Sequence, residues 1–383
     1  VHTPYIVDMV AGLKNAGIET TADLTELYQK YIDFAKLKFE ADRPGDRWFE
    51  APHMGDQKVP EVEISDLFIS KQVASSDAAI FTISRQAGEG IDRSIKDEFC
   101  LTELEQKMLK SVCSQYHAAG KPVIVVINSG SVIETASWSA IPDAILVAWQ
   151  PGEEGGNSVA DILTGKVCPS GRLTMTWPVF ATDHPSTANF PQDMPLFSFE
   201  TILNYSDAGV PGRGYTNHDE DIWVGYRYFD TWNKSVAYPF GYGLSYTTFE
   251  FGKPTVKKVG DKITVSVSVK NTGKVAGKEV AQVYVAAPEG SIEKPTKELK
   301  AFAKTGLLQP GESQTLTMTM AQRDLASFDE ANSQWIADDG TYNFMVGANV
   351  ADIRGNAQLK LTEYTEKTNN ALAPKVKLNL LKK

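Results

Sequence analysis

The sequence predicts two folded regions in series: an α/β sandwich with a mostly parallel sheet over residues 1–247, then an all-β sandwich over 248–364, with a tail at 365–383. Three observations carry this reading. Short apolar runs at 79–84, 122–128 and 144–149 alternate with segments of helical periodicity, the pattern of parallel strands covered on both faces. From Phe249 onward the period changes to two, most cleanly over 263–269. A chain of 383 residues also exceeds what one hydrophobic core organises.

In chain order, Thr3 suits an N-cap and Pro4 the first helical position, with Ile6, Met9, Val10 and Leu13 at helical spacing and Gly17 as the stop. A second helix is expected over 21–39, where Leu24, Leu27, Tyr28, Tyr31, Ile32 and the run from Phe34 to Leu37 form a broad apolar stripe. Residues 40–59 read as a long loop; its Trp48, Phe49 and His53 are placed to line a cleft or to pack against the domain. The run 79–84 is a buried strand that leads directly into Glu89, flanked by Gly88 and Gly90. In open α/β sheets, ligands bind at the carboxyl edge of the strands, so Glu89 is presented where a ligand would sit. Taken alone, such a segment equally describes a solvated turn.

Thr102 and Glu105 form a capping box that opens a helix running to Gly120, with Leu104, Met108, Leu109 and Val112 on its apolar face. The strands at 122–128 and 144–149 end in further polar loops. Ser129 and Ser131 read as a tight turn, since no Gly-x-Ser-x-Gly elbow surrounds either. Gly152, Gly155 and Gly156 precede a helix at about 157–163, but no phosphate-binding glycine motif is present. Residues 172–250 are dense in Pro, Gly and aromatics and read as an aromatic-packed connection between domains. Beyond it, strands are expected at 263–269, 280–285, 299–302, 313–320 and 342–346, with a turn at Asn271-Thr272-Gly273.

A net charge of −10 argues against nucleic acid, whose binding rests on cationic contacts to phosphate. No apolar run approaches the roughly 18 residues of a membrane helix. Cys100, Cys113 and Cys168 are odd in number and lack Cys-x-x-Cys spacing, so they read as buried free thiols. Five scattered histidines give no ligand pair, and neither a metal nor a cofactor is expected.

Four stretches together resemble the carboxyl-terminal portion of a glycoside hydrolase family 3 β-glucosidase. They are Ser84-Arg85-Gln86-Ala87-Gly88-Glu89-Gly90-Ile91-Asp92-Arg93, Trp149-Gln150-Pro151-Gly152-Glu153-Glu154-Gly155-Gly156, Gly225-Tyr226-Arg227-Tyr228-Phe229, and Pro239-Phe240-Gly241-Tyr242-Gly243-Leu244-Ser245-Tyr246. The resemblance implies that the β-sandwich is fibronectin type III-like and that Glu89 is the acid/base of a retaining mechanism. Asp92 and Arg93 are then an ion pair that shapes the loop. It also implies an amino-terminal (β/α)8 barrel that supplies the nucleophilic aspartate, and that barrel is absent from this chain.

With Val1 in place of an initiator methionine, the expectation is one half of a nicked or separately encoded two-chain enzyme. Its partner would be an amino-terminal barrel chain of roughly 250 residues or more, which also lends the sheet its missing first strand. The substrate is then a β-linked glucoside or oligosaccharide, with a homo-oligomer left open and an extracellular or periplasmic location favoured. A β-xylosidase or arabinosidase of the same family is the competing enzyme. A noncatalytic carbohydrate-binding or adhesion module is the competing class, and a presented acid argues against it.

Overall fold

The structure is a computed structural model that describes residues 4–42, 59–85, 93–188, 218–290, 292–374 and 377–383. The described residues divide into two compact units, one up to Lys166 and one from Val167 onward.

In the first unit, helix α1 (Met9–Asn15) begins later than the sequence suggests. Residues 4–8 belong to no helix, and Asp8, itself extended, is the N-cap, accepting from the Ala11 amide at 2.8 Å. The reason lies in the backbone. The Val7 amide donates to the Glu153 carbonyl and the Val7 carbonyl accepts from the Gly156 amide, both at 2.8 Å, so this stretch finds its partners outside any helix. Gly17, at φ +79°, ends the turn as expected. Helix α2 (Ala22–Asp42) forms where periodicity places it, yet Ile32, Phe34 and Leu37 on its apolar stripe stay exposed. A further helix, α3 (Asp66–Ser75), was not foreseen; Ser65 caps it by accepting from the Phe68 amide.

The sheet is parallel, in the order β1 (Ala79–Arg85), β2 (Val123–Ser129), β3 (Ala144–Val147). Its central strand is the most buried, with Val123, Val125, Val126 and Ile127 at 1% exposure or less. Helix α4 (Glu103–Ala118) opens on the expected capping box and packs on α3 and the sheet through Leu109 and Cys113. Cys113 is the buried thiol; Cys100 and Cys168 are only half-buried, and all three are free. Helix α5 (Gly155–Leu163) lies against α1 so closely that a Cβ on Gly156 would sit 1.8 Å from the Asp8 carbonyl oxygen.

Besides a short antiparallel pair, β4 (Trp177–Pro178) with β5 (Val236–Tyr238), the second unit is built on two antiparallel sheets. One has the order β10 (Glu298–Lys304), β9 (Val280–Ala286), β14 (Gly340–Asn349), β15 (Asp352–Leu361). The other joins β11 (Ser313–Ala321) to β8 (Lys262–Asn271), whose far edge pairs with β6 (Phe249–Phe251) and β7 (Thr255–Val259). Val265, Val267 and Val269 of β8 meet Val283, Phe344 and Val346 in the shared core. A smaller sheet of β12 (Ser327–Asp329), β13 (Gln334–Ala337) and β16 (Tyr364–Lys367) completes it. No (β/α)8 barrel occurs among the described residues.

Strand β9 departs from period two because both its faces are covered. Tyr226 packs on Tyr284 at a centroid distance of 6.1 Å and on Phe240 at 4.8 Å. Gln282 donates to the carbonyls of Gly241 and Ala348 and accepts from the Tyr284 hydroxyl. Gly241 combines φ +84° with a Cβ position only 2.3 Å from Gln282 Oε1, so glycine is required there twice over. Helix α6 (Tyr226–Thr231) is pinned to β10 by three contacts: the Leu299 amide to the Tyr226 hydroxyl, Arg227 to Glu298, and Lys297 to Asp230. Two of the four motif stretches are therefore architectural. The tail is held in part, Leu381 bonding the Asp219 carbonyl and the Trp223 indole while Leu372 is exposed.

Candidate functional site

The parallel register sets three strand ends side by side. Ser84 and Arg85 align with Asn128 and Ser129, and Ile127 aligns with Val147. The chain thus leaves β1, β2 and β3 at the carboxyl edge of one sheet, the edge at which ligands bind in such folds. Gly130 packs directly on the Gln150 side chain, which joins the second loop to the third.

Glu89, with Gly88, Gly90 and Asp92, falls in residues 86–92 and lies outside the described residues. Trp48, Phe49 and His53 do as well. The two ends of 86–92 are described. At the first, the Arg85 guanidinium donates through Nη1 and Nη2 to both carboxylate oxygens of Glu105, at 2.8 and 2.7 Å. Its remaining N–H groups go to the carbonyls of Glu98 (2.9 Å), Ser84 (2.8 Å) and Cys100 (3.4 Å). Arg85 and Glu105 side chains are 9% and 11% exposed, so this is a fork-on-fork pair in a low-dielectric setting. Glu105 also accepts from the Thr102 amide, so one carboxylate serves both the capping box and the arginine.

At the second end, Arg93 donates to the Val132 carbonyl at 2.5 Å, and the Glu134 amide donates to the Phe99 carbonyl at 2.7 Å. Between them Asp97 takes φ +67°, a left-handed conformation uncommon for a residue with a side chain. Cys100 sits in this turn with its thiol pKa raised, mainly by burial and then by the charges of Glu134 and Asp97.

The other candidate nucleophile and ligand sites resolve into structure. Ser129 Oγ donates to the Ser131 carbonyl and accepts from the Ser131 amide, the expected tight turn. The start of α5 gives its Gly156 amide to the Val7 carbonyl, so the chain's own backbone occupies the position a phosphate would take. Glu154 accepts from Asn157 and Tyr5; those bonds lower its pKa, and the same contact raises that of Tyr5. Among the described residues no trio of His, Cys, Asp or Glu is placed to hold a metal, and no helix is long and apolar enough to cross a membrane.

Sequence reasoning missed the Arg85–Glu105 pair. The two residues lie 20 positions apart on different elements, and no local pattern couples them.

Residues 1–246 match the family model described as the glycosyl hydrolase family 3 C-terminal domain, and residues 279–350 match a fibronectin type III-like domain. Beta-glucosidase A of Butyrivibrio fibrisolvens is 36% identical over 98% of this chain and 47% of its own length. An exo-alpha-(1->6)-L-arabinopyranosidase of Bifidobacterium breve is 36% identical over 69% of this chain and 32% of its own. The solved structure of beta-glucosidase 3B from Thermotoga neapolitana in complex with glucose superposes with a TM-score of 0.83 at 39% identity, covering 96% of this chain and 48% of that one. This chain therefore spans about half, or less, of the length of the relatives it matches.

Proposed function

Because this chain belongs to glycosyl hydrolase family 3, we propose that it is the carboxyl-terminal part of a retaining, exo-acting β-glucosidase, with Glu89 as the acid/base. The observation that carries the reading is the conjunction of a family match over residues 1–246 with an acid, Glu89, four residues beyond Arg85 at the end of a parallel strand. The relatives' remaining length is where the resemblance puts the (β/α)8 barrel and its nucleophilic aspartate. In this reading the barrel lies outside these 383 residues.

A retaining glycosidase holds its two carboxyl groups about 5 Å apart; one attacks the anomeric carbon, while the other protonates the departing oxygen and then activates water. Glu89 must begin protonated. An unmatched cation beside it would hold it ionised, and Arg85, four residues before it in sequence, has its charge matched by Glu105. When the aspartate attacks, the Glu89 proton moves to the glycosidic oxygen and the alcohol departs. Water then gives its proton to Glu89 as it attacks the glycosyl-enzyme, restoring the acid.

A second reading has a specific motive in the arabinopyranosidase relative. An α-L-arabinopyranoside presents an equatorial anomeric bond like that of a β-glucoside but lacks the hydroxymethyl group. A β-xyloside shares that feature, so contacts to the sixth carbon separate the glucoside from both pentosides, and contacts to the fourth hydroxyl, axial in the arabinopyranoside, separate those two from each other.

The test is Glu89→Ala in the complete enzyme. General acid catalysis is worth roughly 10²- to 10⁴-fold. The variant should lose that much on aryl glucosides with poor leaving groups and far less on activated ones. Full activity on unactivated disaccharides would remove Glu89 from the mechanism.

A further inference from the structure

We infer that residues 218–223, together with Glu293, form a docking site for an extended, leucine-containing segment, and that the chain fills it with its own residues 377–383 as a detachable strap. Site and strap both belong to the second unit, although 158 positions separate Trp223 from Leu381.

The receiving turn is organised by its own backbone. The Asp221 amide donates to the His218 carbonyl at 3.1 Å, and the Trp223 amide donates to the Glu220 carbonyl at 2.8 Å. Asp221 takes φ +51°, and the Trp223 ring stands edge-on to Trp232 at 4.8 Å. This turn offers the strap one acceptor, the Asp219 carbonyl, and one donor, the Trp223 indole N–H. A single residue satisfies both. The Leu381 amide donates to the Asp219 carbonyl at 2.6 Å, and the Leu381 carbonyl accepts from the indole at 3.1 Å. Paired main-chain bonds of this kind are what hold an extended peptide on a receiving edge. Trp223 is 1% exposed, so the leucine carbonyl is what satisfies a buried donor. The Lys383 amide adds a longer bond to Glu293 Oε2 at 3.4 Å. Leu380 and Leu381 are half-buried, whereas Leu372, earlier in the tail, is 95% exposed. Charge agrees with the seating: the strap carries Lys377, Lys382 and Lys383, and the site carries Asp219, Glu220, Asp221 and Glu293.

So few contacts make the strap detachable. Two backbone bonds of ordinary net strength favour the closed state by about 5- to 150-fold. A short tether such as residues 368–376 presents the strap at an effective concentration on the order of 1 mM, so the same segment as a free peptide should bind the emptied site with a Kd of about 10–200 µM.

The test follows the complete enzyme by hydrogen exchange. The Leu381 amide should exchange about 5- to 150-fold more slowly than an unprotected amide. Trp223→Phe, which removes the indole donor, should cut that protection by about 2- to 10-fold while exchange in β8 is unchanged. A second variant of the enzyme ends at residue 376 and is offered the labelled peptide Lys-Leu-Asn-Leu-Leu-Lys-Lys. Fluorescence anisotropy should show saturable binding in the stated range. Binding should fall about 10-fold or more for a peptide methylated on the nitrogen that corresponds to Leu381, and about 5-fold or more for the intact enzyme, whose site is filled. Exchange of Leu381 at the unprotected rate, equal binding of the two peptides, or equal binding to intact and shortened enzyme would overturn the site. If the shortened variant does not fold, the exchange measured on the full chain decides alone.

Discussion

The close approach of α1 to α5 gives a sharp prediction. In Gly156→Ala the new methyl would sit 1.8 Å from the Asp8 carbonyl oxygen and 2.7 Å from that of Val7, both backbone atoms with no rotamer to move. The segment carrying α1 must lift away. That breaks the two backbone bonds between Val7 and residues 153–156, worth about 0.5–1.5 kcal/mol each. It also exposes Leu13, now 4% accessible, at about 1.5–3 kcal/mol. Alanine's helical advantage over glycine returns only about 0.5–1 kcal/mol, so the local loss is about 2–5 kcal/mol. At 1.4 kcal/mol per decade, amides of α1 should lose hydrogen-exchange protection by about 30-fold to several thousand-fold. Gly152→Ala is the control, since its Cβ meets nothing within 4 Å and only φ +74° resists it. Wild-type protection of α1 in Gly156→Ala would refute the close-packing argument.

Two further predictions concern the second unit. Arg172 and Glu279 form a buried ion pair with both side chains 8% exposed. Arg172→Met alone should cost about 3–5 kcal/mol in denaturant unfolding, and adding Glu279→Leu should recover most of it; equal losses in single and double variants would contradict this. His184 packs edge-on against Phe229 at 5.0 Å, and burial lowers its pKa below the ordinary 6.5. The unfolded chain then takes up the proton first, so stability should fall as pH drops from about 6.5 toward the lower folded value. His184→Phe should flatten that part of a melting-temperature profile, and an unchanged slope would exclude His184 as its source.

Features set by local chemistry were legible in the sequence, and features set by what packs on top were not. The Thr102–Glu105 capping box, the stop at Gly17 and the Ser129–Ser131 turn each depend on a few neighbouring residues, and each stands where it was read; β1 forms in its expected place but is not the buried strand expected, since only Ile83 is buried and Thr82 and Ser84 are exposed at this edge of the sheet. Strand β8 alternates because one of its faces is covered. Strand β9 does not, since Tyr226, Phe240 and Gly241 arrive from 40 or more residues away to bury its outer face. The start of α1 was misplaced for the same reason. Thr3 and Pro4 form a plausible local signal, but Val7 pairs with residues 153–156, and no pattern near the amino end announces that partner. At the candidate site, the acid stood out by its flanking glycines, whereas the Arg85–Glu105 pair spans 20 residues and a helix start.

The most direct test of the acid/base role is azide rescue of Glu89→Ala in the complete enzyme, with the configuration of the product read by NMR. Azide attacks the glycosyl-enzyme without a general base, so turnover of an activated aryl glucoside should rise with azide and yield the β-glucosyl azide, with retained configuration. Azide-independent turnover, or an α-configured product, would contradict Glu89 as the acid/base of a retaining enzyme.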